Sequence, residues 1–174
     1  MSCFVRQKLK EFTGYGQTVR IISLQPDISY PWHAITVADS DARILVCHGG
    51  IGVDGRRVVL VGMDGRRSAV FGLAKSTVTT AAAGLLCGGG QTNSPLHAAV
   101  DKDNFVFVLD CENRAISLLD PDLGFVRDLI STSDAAALGL KDPRRMYFDA
   151  EHSRMYIGEG NGSVALIQLS TADS

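Results

Sequence analysis

SPLHAAVDKDNFVFVLDCENRAISLLDPDLGFVRDLI, residues 94–130, holds four apolar pulses, at 96–100, 105–109, 115–119 and 125–130, each five or six residues long. That is too short for helices, which must nucleate before they propagate, and the Val, Phe, Ile and Leu content favours strands. Between the pulses lie Asp101-Lys102-Asp103-Asn104, Asp110-Cys111-Glu112-Asn113 and Asp120-Pro121-Asp122-Leu123-Gly124. These residue types turn the chain through side-chain-to-backbone bonds and readily adopted turn dihedrals. The reading is four short antiparallel strands joined by hairpins.

The same grammar recurs on both sides. Downstream, 143–149 repeats 95–101 at the same Pro-to-Asp spacing, and 155–159 and 163–169 stand for the second and third pulses. Upstream, Pro31-Trp32-His33-Ala34-Ile35-Thr36-Val37 starts another copy that continues through 43–47, 57–61 and 67–71. Residues 8–12 and 18–24, around a Gly14-Tyr15-Gly16 turn, read as the outer two strands of one more copy. A repeat of roughly 40 to 50 residues with four strands in each is the sign of a propeller blade. The expectation is therefore an all-β chain, a single domain over 1–174, with blade parts at 1–30, 31–76, 94–131 and 142–169 and an irregular loop at 77–93. Strands number two, four, four and three, about three blades, and a six-bladed ring needs about twice that. The remaining blades then come from a longer parent chain or from a second copy, so a homodimer completing the propeller is one expected partner. One helical turn is expected in the crossings, at 134–138, capped by Ser133; 81–86 could form another, but the flanking Thr run and Gly88-Gly89-Gly90 argue for a mobile connection there.

Pro95-x-His97-x-x-Val100-Asp101, then Phe105-Val106-Phe107-Val108-x-Asp110-x-x-Asn113-Arg114-x-Ile116, then Phe125-Val126-Arg127, resembles the NHL repeat of six-bladed β-propellers. The nearest look-alikes are the C-terminal propellers of animal tripartite-motif proteins. The resemblance is sharpest over 95–127 and extends to most of the chain. It implies an NHL-type propeller acting as the partner-binding end of a ubiquitin-ligase-like protein, and some relatives bind single-stranded RNA. The RING and B-box parts of such proteins have no counterpart here, because these residues contain no Cys/His zinc cluster.

Composition narrows the function classes. With 174 residues, 45% hydrophobic and 21% charged, the chain can bury one substantial core. No apolar run reaches the 18 or more residues of a membrane span, and the opening MSCFVRQKLKEF has no secretory core, so the expectation is cytoplasmic with no membrane partner. Cys3, Cys47, Cys87 and Cys111 are widely spaced without a C-x-x-C, which reads as reduced thiols and not a metal or disulfide framework. A formal charge of −2 removes the simplest argument for nucleic-acid binding.

The residues that remain point to recognition. The Gly-rich stretch 48–55 is followed by strand-like 57–61 and not by a helix, so it reads as a hairpin turn and not a phosphate loop. Cys47 and His48 are strand neighbours and face opposite sides, which does not make a nucleophile and base. Asp101, Asp110, Asp120, Asp149 and Glu159 recur at strand ends, where turn capping is their expected work. His33 and His97 share one repeat position, a placement that invites comparison with an axial metal site, as in the amidating lyases that share this repeat type. Arg145 stands there in the last copy, so no metal or other cofactor is assigned. Trp32, His33, His97, Arg144 and Arg145 all follow the Pro that begins an inner strand. Together they are the candidate binding surface, aromatic and cationic, for a protein or peptide, with single-stranded RNA as the alternative. The other arginine pairs, Arg56-Arg57 and Arg66-Arg67, lie at hairpin ends. No catalytic constellation is read from the sequence.

Overall fold

The computed structural model describes residues 7–38, 41–49, 56–72 and 95–169. Its strands, in chain order, are β1 (Lys8–Phe12), β2 (Thr18–Ser23), β3 (His33–Thr36), β4 (Ile44–His48), β5 (Arg57–Val61), β6 (Arg67–Phe71), β7 (Pro95–Val100), β8 (Val106–Asp110), β9 (Ala115–Leu119), β10 (Phe125–Ile130), β11 (Pro143–Asp149), β12 (Arg154–Glu159) and β13 (Val164–Gln168). They form antiparallel sheets of two, four, four and three strands, in the orders β1-β2, β3-β4-β5-β6, β7-β8-β9-β10 and β11-β12-β13. Each strand pairs only with its neighbour in sequence, as hairpin turns dictate.

The turns follow the Asx logic of the sequence. Asp101 Oδ1 accepts from the backbone N–H of Asp103 and Phe105, both at 2.9 Å. Asp120 Oδ1 does the same for Asp122 and Gly124, at 2.9 and 2.7 Å, and Asp110 Oδ1 for Glu112 and Asn113, both at 3.0 Å. A left-handed residue closes each of these turns: Asn104, Leu123 and Arg114 have φ of 66°, 65° and 55°. The carboxylates are turn caps, the work expected of them.

The sheets stack face to face, and each seam is a separate apolar cluster. Leu9 and Ile22 of the first sheet meet Ile44, Val46, Val59 and Val61 of the second. The opposite face of that second sheet, with Leu45, Cys47, Val58 and Leu60, meets Ala98, Val106, Val108 and Leu119 of the third. The third sheet turns Phe107, Leu109 and Ile116 toward Met146, Met155 and Ile157 of the fourth. Period-two alternation thus serves two cores at once, so β4 and β8 are buried at every position and read as hydrophobic runs, each closed by one buried polar residue, His48 and Asp110. Gly65, in the β5–β6 turn, brings the first two sheets together: φ is +79°, and a Cβ there would lie 1.9 Å from the Ser23 carbonyl oxygen.

The crossing between the third and fourth sheets contains one short helix, α1 (Thr132–Ala137), whose N-cap is Ser131 and not Ser133. Ser131 closes a capping box: its hydroxyl accepts from the Asp134 N–H, and the Asp134 carboxylate accepts from the Ser131 N–H at 2.9 Å. That reciprocal bond decides the start two residues earlier than the Asp134 pattern alone implies. The irregular connection at 77–93, with 81–86 inside it, lies outside the described residues. Among the described residues no helix is long and apolar enough to cross a membrane.

Candidate recognition rim

The three inner strands, β3, β7 and β11, lie side by side, β7 against both others. The free edge of an inner strand carries backbone carbonyls without a ladder partner, which must be satisfied or left to water. Two side chains from β3 and the residue before it do this for β7. The Trp32 indole N–H donates to the Leu96 carbonyl at 2.9 Å, and His33 Nε2–H donates to the Ala98 carbonyl at 2.9 Å. Because only a proton-bearing nitrogen can donate to a carbonyl, His33 carries its proton on Nε2.

His33 and His97 then stack, ring centroids 3.7 Å apart at an interplanar angle of 30°. Burial holds both below the usual imidazole range, and neighbouring charge adds to this. His33 is lowered by desolvation, which outweighs its bond to Ala98, with Arg145 adding to the effect. His97 is lowered to about 3 by desolvation, then by His33 and by Arg145. His97 Nδ1 is buried without a hydrogen-bond partner. Both rings are neutral at physiological pH, and the nearby cation keeps them so.

Four of the five sequence-predicted residues therefore meet around one seam: Trp32, His33, His97 and Arg145. Arg144 turns aside, its Nε 2.8 Å from Asp142 Oδ1, because the Asp is two residues before it at the start of the strand. Arg145 is exposed and donates from Nη1 to the Arg144 carbonyl at 3.0 Å.

The sequence reading missed Arg56 at the rim. Its guanidinium carbon lies 5.5 Å from the centroid of the Trp32 ring, a cation–π placement, and its Nη1 approaches Cys111 Sγ at 3.8 Å. The signal was available in the pairing: His48 opposes Arg57, so the β4–β5 hairpin opens at the rim where β3 begins. His48 itself is buried, 2% exposed, with neither ring nitrogen in hydrogen-bond geometry, and burial reinforced by Arg57 pushes it down to about 4. The Arg66-Arg67 pair belongs elsewhere. Arg66 Nε lies 3.7 Å from Asp64, while Arg67 pairs with Asp27 and its backbone N–H donates to Gln25 Oε1, fastening the crossing before the second sheet.

Cys47 is fully buried in a seam and its thiol is pushed up to about 12 by desolvation. Among the described residues no three His, Cys, Asp or Glu side chains stand together as a metal-ligand group. Cys47 is a free thiol; Cys3 and Cys87 lie outside the described residues.

Solved structures share this arrangement of sheets. A protein of unknown function from Bacteroides caccae superposes with a TM-score of 0.52 at 11% identity, over 95% of this chain and 52% of its own. Virginiamycin B lyase from Staphylococcus aureus gives 0.52 at 13%, over 97% and 50%, and a streptogramin B lyase gives 0.51 at 14%, over 97% and 50%. The fold is a partial β-propeller. The chain spans about half the length of these three solved structures. No protein-family model and no curated protein matches the sequence.

Proposed function

We propose that the chain is a non-catalytic recognition module of NHL type that binds a peptide segment of a protein partner at the rim formed by Trp32, Arg56, His33, His97 and Arg145. One observation carries the reading. An aromatic ring under a guanidinium stands beside a stacked, neutral histidine pair and an exposed arginine, where inner strands begin. Arg145 and Arg56 favour an acidic side chain or carboxylate in the ligand, since guanidinium forks match carboxylates. A cytoplasmic setting goes with this reading, in keeping with the buried thiol of Cys47.

Geometry favours a peptide over single-stranded RNA. Base stacking needs an uncovered aromatic face, and here Arg56 lies over Trp32, whose N–H is engaged by Leu96. Arg144 is paired with Asp142, which removes one phosphate contact from the surface. The names of the two lyases belong to those proteins; at 13% and 14% identity they bring only the fold.

The test is selection of phage-displayed random peptides on the wild-type chain, followed by titration of the enriched peptides and of a uridine 12-mer. The expected result is enrichment of acidic peptides whose affinity drops at least tenfold with Arg145→Glu. From 50 to 200 mM salt their affinity should change far less than the 10³-fold or more that loss of many phosphate contacts produces. Tight uridine binding with a steep salt dependence, and no peptide enrichment, overturns the peptide reading in favour of RNA.

A further inference from the structure

The bonds at the seam between β3 and β7 leave one ring without a task. Trp32 and His33 spend their ring N–H groups on the Leu96 and Ala98 carbonyls, so those two acceptors on β7 are covered. His97, stacked on His33 with ring centroids 3.7 Å apart, makes no such bond: its Nδ1 is enclosed without a partner, while its Nε2 reaches solvent. A neutral imidazole carries a single N–H. On Nδ1 that proton would be a buried donor with no acceptor, and an orphaned N–H is rarer in folded proteins than an under-satisfied acceptor. The proton therefore sits on Nε2, and the ring offers an N–H to the rim.

We infer that His97 is a specificity-determining residue of the rim, its Nε2–H donating to one oxygen of a carboxylate on the bound peptide while the Arg145 guanidinium holds the other. This rests on the peptide reading of the rim and adds to it the residue that separates a carboxylate from an amide. β11 lies against β7, and Arg145 acts on both imidazoles from there. Arg145 is exposed and spends Nη1 on the Arg144 carbonyl, which leaves the rest of its fork for a ligand. Two neighbouring donors match a group that only accepts. A carboxylate gives each donor an oxygen, whereas a primary amide offers one oxygen and turns its own N–H groups toward the second donor. The chain's own carboxylates at this end of the sheets are engaged in their turns: Asp110 accepts from Glu112 and Asn113, Glu159 from Asp142 and Ser163, and Asp142 pairs with Arg144.

The contact works with an uncharged ring. His97 meets the stacked ring of His33 on β3, the Arg145 guanidinium on β11 and, across the β7–β8 ladder, the apolar Leu109. On β4, opposite His33, the Cys47 thiol is un-ionised. A second proton on His97 would have to go on the enclosed Nδ1, near a cation. The ligand carboxylate therefore meets one dipole and one permanent cation, and recognition holds steady through the range in which an ordinary histidine changes charge.

The test uses the full chain, an acidic peptide enriched on it, and the amide counterpart of that peptide, with Asp and Glu replaced by Asn and Gln and the C-terminus amidated. Affinity for the acidic peptide, read by fluorescence anisotropy, should change less than twofold from pH 8 to pH 6. A histidine that must be charged to bind would gain about twentyfold over that range at a pKa near 6.5. His97→Phe keeps a ring on His33 and removes the N–H; it should weaken the acidic peptide at least fivefold and the amide peptide less than twofold. His97→Gln, which restores a donor, should recover most of the loss, with circular dichroism as the folding control. Long-range 1H–15N spectra need no variant: the free chain should show His97 protonated on Nε2, and the acidic peptide should shift that nitrogen without producing an imidazolium. Peptide binding that His97→Phe leaves intact overturns the inference alone. So does a gain of tenfold or more on acidification, or an imidazolium at His97 in the complex. Failure of every acidic peptide to bind removes the peptide reading, and the inference falls with it.

Discussion

The second and third sheets and the two end sheets are built from one repeat, yet they differ in how many faces they bury. In the second and third, alternate residues of each central strand serve two seams, so Leu45 and Val46 are both fully buried. In the end sheets only one face is covered: Leu9 and Ile22 at one end, Met155 and Ile157 at the other. The repeat therefore does not stabilise a sheet by itself. Stability lies in the seams, as in other arrays whose units contact only their neighbours.

The strongest way to break the comparison is to truncate matched leucines. Leu109→Ala, in a strand buried on both faces, should cost about 2–5 kcal/mol in urea unfolding, the range for a buried leucine. Leu166→Ala on the outward face should cost under about 0.5 kcal/mol in dilute protein. Equal losses at the two positions would mean that the end sheet is as covered as the interior.

Gly65→Ala sharpens the comparison at the first seam. The left-handed φ and the Ser23 oxygen in the path of a Cβ make a loss of about 2–3 kcal/mol the expected outcome. Hydrogen exchange should show it most strongly in β1 and β2. Uniform exchange across all sheets would show that the first sheet unfolds only with the rest.

Acid should loosen the interior seams first. His97 and His48 have folded pKa values of about 3 and about 4, below the unfolded value near 6.5, so the unfolded chain binds protons that the folded chain refuses. Stability from this source is complete above pH 6.5 and falls as pH drops toward the folded values. Between pH 6.5 and 5 the loss is at most about 2 kcal/mol per histidine, at about 1.4 kcal/mol per unit. Thermal melts of wild type and His97→Gln should show a shallower acid slope in the variant. Trp32→Phe should cost about 1 kcal/mol, because it removes one neutral hydrogen bond and keeps an aromatic ring in place.

The strand order was legible because hairpin turns and short hydrophobic runs are local. Asp101, Asp110 and Asp120 announce their turns, and the seams between sheets were found only in the structure. The rim was only partly legible. His33 and His97 share a repeat position, with Trp32 matching Leu96, and their rings stack in the structure, but Arg144 was diverted by Asp142, a neighbour the repeat comparison ignored. Arg56 reaches Trp32 across a hairpin whose length no periodicity measures. The helix cap moved to Ser131 because two side-chain bonds, and not propensity, fix a helix start.

The strictly sequential order of the sheets has a kinetic consequence. Every strand pairs with the one before or after it, so no ladder waits for a distant segment to arrive. Loop-closure entropy is low for each hairpin, and only face-to-face docking joins sheets remote in sequence. Hairpins should form within microseconds and the seams later, with each newly formed sheet acting as the template for the next. Such a chain can add a sheet at either end without disturbing the ones already folded.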